Sequence, residues 1–130
     1  MAETQKKSVL VVEDNELNMR LFCDLLDAYG YAPLTCKDGD KALDIAREKM
    51  PDLIIMDIQL PVVSGLDITR WLKDDPDLAH IPILAVTAFA MRADEQKVRE
   101  AGCEGYLSKP IQMTSFIRAV EELIEGQPVT

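Results

Sequence analysis

Leu53-Ile54-Ile55-Met56-Asp57 is the stretch that decides the fold. Its four apolar residues form an unbroken run without polar alternation, which is typical of a short strand buried on both faces of a parallel sheet. Asp57 follows the run at once, and a carboxylate beside a buried strand end needs partners. The stretch therefore predicts a central parallel strand with an acidic group at its carboxyl end.

Similar runs recur along the chain, at Val9–Val12 and Ile83–Val86, with weaker strand candidates at Tyr31–Cys36 and Gly105–Ser108. The segments between them have helical periodicity. Met91–Ala101 has few apolar positions, so we expect a helix that buries little surface. Five strands in alternation with five helices predict an α/β fold, a parallel sheet covered on both faces.

The predicted helices also have start and stop residues. We expect Gly30 to end the first helix and Pro51 to stop the second, and Ser64 to cap the third. The first predicted helix has an apolar stripe and the last an apolar face, and the second and third contain apolar residues. They are Leu17, Leu21 and Leu25 with Phe22 and Leu26; Phe116, Val120 and Leu123 with Ile117 and Ile124, beginning near Thr114; Ala42, Leu43, Ile45 and Ala46 within 38–49; and Leu66, Ile68, Trp71 and Leu72.

Length and charge restrict the function classes. The chain has 130 residues, 23 acidic against 14 basic, for a net charge of −9. This length suits one domain, predicted at 8–125 between tails at 1–7 and 126–130, with no output domain. The negative charge disfavours nucleic acid and anionic membranes as partners. We find no apolar run of about 18 residues and no signal-peptide core, so a cytoplasmic protein without membrane insertion is expected.

Cysteine and histidine usage excludes further site classes. Cys23, Cys36 and Cys103 are odd in number and far apart, which predicts reduced thiols and neither a disulfide framework nor a paired metal site. His80 is the one histidine of the chain, which excludes a multi-histidine metal centre.

Polar residues follow four of the predicted strands. The carboxyl ends of parallel strands meet at one sheet edge, where ligands of open α/β sheets bind. Crowded carboxylates repel one another unless a hard cation such as Mg²⁺ joins them. A carboxylate held beside a lysine and a metal is a plausible nucleophile towards a phosphoryl donor. The residues concerned are Glu13-Asp14, Asp57, Thr87-Ala88 and Lys109-Pro110, the last a candidate cis peptide.

Each of these residues has an ordinary structural explanation when taken alone. Glu13-Asp14 could cap the first helix. Thr87 is a residue type common in strands and turns, and Lys109 is by default a surface lysine. Their joint occurrence at four strand ends, in order, favours a site.

The combination resembles the receiver domain of bacterial two-component response regulators, the family of the chemotaxis protein CheY. The resemblance covers about Ser8 to Glu125 and implies a flavodoxin-like sheet of order 2-1-3-4-5. Three longer phrases, at 13–22, 77–82 and 86–91, resemble a single-domain cell-cycle regulator of this family. The family motifs matched are Val-Val-Glu-Asp-Asn at 11–15, Met-Asp-Ile-Gln-Leu-Pro at 56–61, Gly65, Val-Thr-Ala at 86–88 and Lys-Pro at 109–110.

The resemblance implies a role for each matched residue. Asp57 would accept a phosphoryl group from a kinase phosphohistidine. Mg²⁺, or Mn²⁺ as a substitute, would be held by Glu13, Asp14, Asp57 and the main-chain carbonyl of Gln59. The roles implied for the rest are phosphoryl binding and signalling for Thr87, Ala88 and Lys109, switching for Thr87 and Tyr106, and tuning of the phosphoryl lifetime for Gln59 and Phe89.

The implied output is protein contact. A monomer or weak dimer would bind sensor histidine kinases or phosphatases, and a downstream target through the fourth helix, fifth strand and fifth helix. Kinase binding would recruit it to a cell pole, in cell-cycle and cell-division control. Apart from its own phosphorylation and dephosphorylation, no substrate turnover is expected.

Three alternatives remain open on the sequence. The chain could be a phosphorelay intermediate that passes its phosphoryl group to a histidine phosphotransfer protein. A phosphatase of the haloacid dehalogenase class also uses an Asp nucleophile, but its second aspartate, a general acid, is replaced here by Gln59. A flavin- or nucleotide-binding module is disfavoured because no glycine-rich phosphate loop is present.

Overall fold

A computed structural model of the chain describes residues 6–60, 63–87 and 92–125, with the backbone alone for 92–95. Strands and helices alternate along these residues. The strands are β1 (Ser8–Val12), β2 (Ala32–Cys36), β3 (Leu53–Asp57), β4 (Ile83–Thr87) and β5 (Gly105–Ser108), and the helices are α1 (Glu16–Ala28), α2 (Ala42–Lys49), α3 (Gly65–Asp74), α4 (Arg92–Ala101) and α5 (Met113–Glu125).

The five strands form one parallel sheet in the order β2-β1-β3-β4-β5, which confirms the predicted α/β class and strand order. Every residue of β3 and β4 is buried, as an unbroken apolar run predicts. Successive strand residues point to opposite faces. Residues of α1 and α5 pack on one face, and those of α2, α3 and α4 pack on the other.

The apolar stripe predicted for α1 is partly wrong. Leu17 and Leu21 were expected in the core, yet they are 78% and 44% exposed. Phe22 and Leu26 are buried as predicted, and Met19, which the predicted stripe did not include, is buried beside them. Leucines four residues apart fit a helical stripe as well as the buried set does, and the sequence alone does not fix how the helix is rotated on the sheet. The structure therefore leaves an exposed leucine pair on α1.

The start of the second helix also differs from the prediction. The segment from Asp38 begins with a 3₁₀ turn at Gly39–Lys41, and α2 itself begins at Ala42. Gly39 packs tightly here, since a Cβ at this position would lie 2.6 Å from Ile68 Cδ1 of α3. The turn therefore packs closely against the end of the Ile68 side chain.

The predicted cap of the third helix and the predicted end of the first agree with the structure. Ser64 caps α3 by accepting a hydrogen bond from the Leu66 amide at 3.1 Å. Gly30 follows α1 with a φ of +89°, the left-handed conformation that glycine favours at a helix end. Cys23, Cys36 and Cys103 form no disulfide. Among the described helices, none is long and apolar enough to cross a membrane.

Candidate phosphoryl-acceptor site

The register of the sheet brings the predicted strand ends together. Val12 of β1 lies beside Met56, and Asp57 lies beside Val86 of β4. Backbone hydrogen bonds continue past the strands: the Glu13 amide donates to the Cys36 carbonyl at 3.0 Å, and the Lys109 amide donates to the Thr87 carbonyl at 2.7 Å. The residues after the strands therefore begin from fixed positions at one edge.

Lys109 joins two buried carboxylates across this edge. Its ammonium lies 3.2 Å from Glu13 Oε1 and 3.6 Å from Asp57 Oδ2. The Glu13 and Asp57 side chains are only 1% and 4% exposed, whereas that of Lys109 is 19% exposed. Buried charges require such compensation, because removal from water penalises the ionised form. One ammonium thus faces two carboxylates.

The second oxygen of each carboxylate accepts from the backbone. The Gln59 amide donates to Asp57 Oδ1 at 3.0 Å, and the Asn15 amide donates to Glu13 Oε2 at 3.1 Å. Both donors lie two residues after the carboxylate that they contact, so the loops following β1 and β3 turn back onto their own acids. These bonds fix the orientation of both carboxylates.

The arrangement is strained electrostatically at Glu13. Burial, reinforced by the negative charge of Asp57, raises the pKa of Glu13 from 4.5 to about 7. The Asn15 amide and the Lys109 ammonium oppose this shift in pKa without cancelling it. The site therefore has an excess of negative charge that one lysine does not balance.

A cation could relieve this excess. Glu13, Asp14 and Asp57 each offer a carboxylate oxygen, and these oxygens lie within 4.8 Å of one another. Asp14 is exposed while the other two are buried, so the cluster opens to solvent on one side. An all-oxygen set of this kind suits Mg²⁺, which keeps several waters and needs few protein ligands.

Of the remaining predicted site residues, the structure describes Thr87, Tyr106 and Pro110 but not the other two. Thr87 ends β4 and is 2% exposed, and Tyr106, half-buried in β5, lies beside Ala85 in the register. The Lys109–Pro110 peptide bond is cis. The predicted sites at Ala88 and Phe89 lie outside the described residues.

Gly65 has a contact at the site that sequence reasoning missed. A Cβ on Gly65 would lie 2.2 Å from the Asp57 carbonyl oxygen and 2.9 Å from its carbon. The Gly65 amide also donates to the Ile58 carbonyl at 3.0 Å. The glycine directly after the Ser64 cap was the available clue, but the partner of its close contact is not visible in the sequence. α3 thus begins directly against the backbone of Asp57.

Comparison with known proteins agrees with this geometry. The sequence pattern described as "Response regulator receiver domain" matches residues 9–121. "Polar-differentiation response regulator DivK" of Brucella anthropi is 58% identical over 118 residues, which cover 91% of this chain and 96% of that protein.

Solved structures give the same result. The receiver domain of a sensor histidine kinase from Pseudomonas aeruginosa, with a magnesium ion coordinated in its active site cleft, is 31% identical with a TM-score of 0.86, over 93% of this chain and 99% of that one. Chemotaxis response regulator CheY4 of Vibrio cholerae is 25% identical with a TM-score of 0.86, over 92% and 99%. The chain belongs to the response regulator receiver domain family.

Proposed function

We propose that the protein is a response regulator that accepts a phosphoryl group from a histidine kinase phosphohistidine onto Asp57. The observation that carries this proposal is the pairing of a buried Asp57 carboxylate with the Lys109 ammonium at 3.6 Å, inside a cluster of three acids. A purely structural buried aspartate needs one balancing partner and has no use for two further carboxylates beside it.

In the proposed step, a carboxylate oxygen of Asp57 attacks the phosphorus of the phosphohistidine. The oxygen–phosphorus bond forms as the nitrogen–phosphorus bond breaks, and the electron pair of that bond returns to the imidazole of the donor. The acceptor then has a charge of about −1.5 to −2 in place of one negative charge. Lys109 would balance the added charge, and Thr87 and Ala88 would donate hydrogen bonds to the phosphoryl oxygens.

The proposed metal ligands are Glu13, Asp14, Asp57 and the main-chain carbonyl of Gln59. A bound Mg²⁺, or Mn²⁺ in its place, would neutralise charge that develops on the transferring group. The three carboxylate oxygens within 4.8 Å of one another support this assignment. The Gln59 amide, which donates to Asp57 Oδ1, would hold the carboxylate in its orientation.

The output we propose is a change of protein contacts. Attraction of Thr87 to the phosphoryl group would open space into which Tyr106 turns, and α4 would shift with it. The face formed by α4, β5 and α5 would then bind its downstream target with altered affinity. The side chains at Gln59 and Phe89 would tune the lifetime of the phosphoryl group.

The similarity to DivK supports a biological setting. We propose a monomer or weak dimer whose receiver domain spans 8–125. It would act in the cytoplasm, bind sensor histidine kinases and phosphatases, be recruited by them to a cell pole, and take part in cell-cycle and cell-division control. Substrate turnover beyond its own phosphorylation is not expected.

Intact-mass analysis after incubation with Mg²⁺ and acetyl phosphate tests the proposal. We expect a gain of one phosphoryl group in the natural protein and in Asp67→Asn, a matched control whose carboxylate is exposed on α3. Asp57→Asn should show no gain. A phosphoryl group retained in Asp57→Asn would place the acceptor elsewhere, and sustained hydrolysis of a small phosphate ester would favour a phosphatase. Rapid transfer to a histidine phosphotransfer protein would identify a relay intermediate.

A further inference from the structure

Thr69 is a buried polar residue that the proposed phosphoryl chemistry does not use. It lies on α3 and is 0% exposed. The buried polar residues at the sheet edge, Glu13, Asp57 and Thr87, belong to the candidate site, whereas Thr69 lies one helical turn into α3. A hydroxyl this deeply buried requires hydrogen-bond partners, and the identity of those partners indicates its role.

Two hydrogen bonds fix the Thr69 hydroxyl. It donates to the Gly65 carbonyl at 2.8 Å and accepts from Cys103 Sγ at 3.7 Å. A hydroxyl has a single proton to donate, so the thiol is the donor in the second bond. Burial raises the pKa of Cys103 to about 11, which keeps the thiol protonated near neutral pH. The hydroxyl is therefore held in one orientation, aimed at Gly65.

Gly65 links the Thr69 hydroxyl to the backbone of Asp57. Its Cα lies so close to the Asp57 backbone that a Cβ would be 2.2 Å from the Asp57 carbonyl oxygen. Its amide donates to the Ile58 carbonyl at 3.0 Å. The next residue, Gln59, donates its own amide to Asp57 Oδ1 at 3.0 Å. The first turn of α3 thus presses on the same short segment that orients the acceptor carboxylate.

We propose that Thr69 is a positioning residue for the phosphoacceptor. Its hydroxyl holds Gly65 against the backbone of Asp57 and Ile58. The Cys103 thiol, just beyond α4, keeps that hydroxyl in place. Its two hydrogen bonds go to Gly65 and Cys103, so the effect of the hydroxyl on Asp57 passes through Gly65. The inference rests on the proposed function for its catalytic consequence, but the geometric effect on Asp57 is independent of any phosphoryl donor.

Thr69→Val tests the hydroxyl, because valine keeps the branched shape without the hydrogen bonds. Thr69→Ser is the matched variant that keeps the hydroxyl. In the phosphoryl-free protein we expect the Gln59 amide resonance to shift in Thr69→Val and to stay near its original position in Thr69→Ser. With acetyl phosphate and Mg²⁺, the maximal phosphorylation rate should fall about fivefold in Thr69→Val and less than about twofold in Thr69→Ser.

Cys103→Ala provides a second arm if Thr69→Val fails to fold. It removes the thiol that orients the hydroxyl, and we expect a shift of the Gln59 resonance in the same direction with a rate loss of about twofold. Unchanged Gln59 resonances in the folded variants, with rates equal to the natural protein, would overturn the positioning role. A natural protein that gains no phosphoryl group would refute the proposed function instead, while the Gln59 resonance would still decide the role of Thr69.

Discussion

Two partly buried lysines lie near opposite ends of the sheet, and they are balanced differently. Lys73, on α3 near the amino ends of β4 and β5, donates to the Ala79 and Ile81 carbonyls at 3.1 and 2.9 Å and to Glu104 Oε2 at 2.7 Å. Glu104 Oε1 accepts from the Ile83 amide at 2.8 Å. Three ammonium donors thus meet three acceptors, with one positive charge against one negative charge.

Lys109, at the carboxyl edge, faces Glu13 and Asp57 together and leaves the cluster with excess negative charge. Both regions use the same residue types, and both lysine side chains are less than a fifth exposed, at 16% and 19%. The two regions differ in the ratio of positive to negative charges. A balanced set holds loops together, whereas an unbalanced set is poised to take up a cation.

The largest expected difference between the two regions is in Mg²⁺ affinity after substitution of one glutamate in each. Glu13→Gln is expected to weaken Mg²⁺ binding about 100-fold, because it removes a charged oxygen ligand from the cluster. Glu104→Gln should leave Mg²⁺ affinity unchanged within about twofold, since it lies at the other end of the sheet. Isothermal titration calorimetry with MgCl₂ measures both. Natural affinity in Glu13→Gln would remove Glu13 from the ligand set.

Stability should respond in the opposite sense in the two regions. Lys73→Met leaves Glu104 Oε2 and two carbonyls without their donor. We therefore expect a loss of about 2 kcal/mol in the free energy of unfolding. Glu13→Gln removes a buried, repelled carboxylate, so the metal-free protein should gain on the order of 1 kcal/mol at pH 8. Urea denaturation followed by circular dichroism measures both.

A gain in stability for Lys73→Met, or a loss for Glu13→Gln under metal-free conditions, would contradict the assigned charge balance. Thr69→Ser is a useful control here, since it alters a buried side chain without changing charge. Any stability loss in that variant reports packing alone.

The raised pKa of Glu13, about 7, makes the carboxyl edge sensitive to pH. Since this pKa exceeds its ordinary value, the folded protein holds the proton more tightly than the unfolded chain. The resulting stability is fully present below about pH 4.5 and is lost as the pH rises through 7. Mg²⁺ requires the ionised carboxylate, so its affinity should rise about tenfold from pH 6 to pH 8.

Calorimetric titrations across this range test the pH dependence. In Glu13→Gln the affinity should be lower at every pH and nearly constant between pH 6 and pH 8. A rise of the same size in Glu13→Gln would show that another group releases the proton.

The sequence predicted the carboxyl edge better than the opposite end of the sheet, for a physical reason. Asp57 ends β3 and Lys109 directly follows β5. Because all parallel strands end at one edge, their meeting follows from topology. The bond between Lys73 and Glu104 joins side chains 31 residues apart, on a helix and in a loop. No period or strand rule relates such positions, and only the packed fold brings them together.

Helix rotation was the other limit of sequence reasoning. Leu17 and Leu21 have the spacing of a core stripe, yet they are exposed, and the core takes Met19 beside the predicted Phe22. Both sets fit a helical period, and the choice between them depends on where the helix lies against β1 and α5. The close approach of Gly65 to Asp57 could not be predicted either. A contact between two backbone segments does not affect the pattern of side chains, apart from requiring the glycine itself.

Substitution of a lysine in an exposed ion pair should change the free energy of unfolding least. It tests whether burial, rather than ion pairing alone, causes the large effect expected at Lys73. Lys41 Nζ lies 3.7 Å from Asp38 Oδ2, and these side chains are 67% and 64% exposed. Water and salt screen such a pair, so Lys41→Met should change the free energy of unfolding by about 0.3 kcal/mol, measured in urea at low salt. The same measurement at high salt should show a still smaller change. A loss as large as that of Lys73→Met would mean that pairing alone stabilises this protein, and the distinction between the two buried lysines would then need another cause.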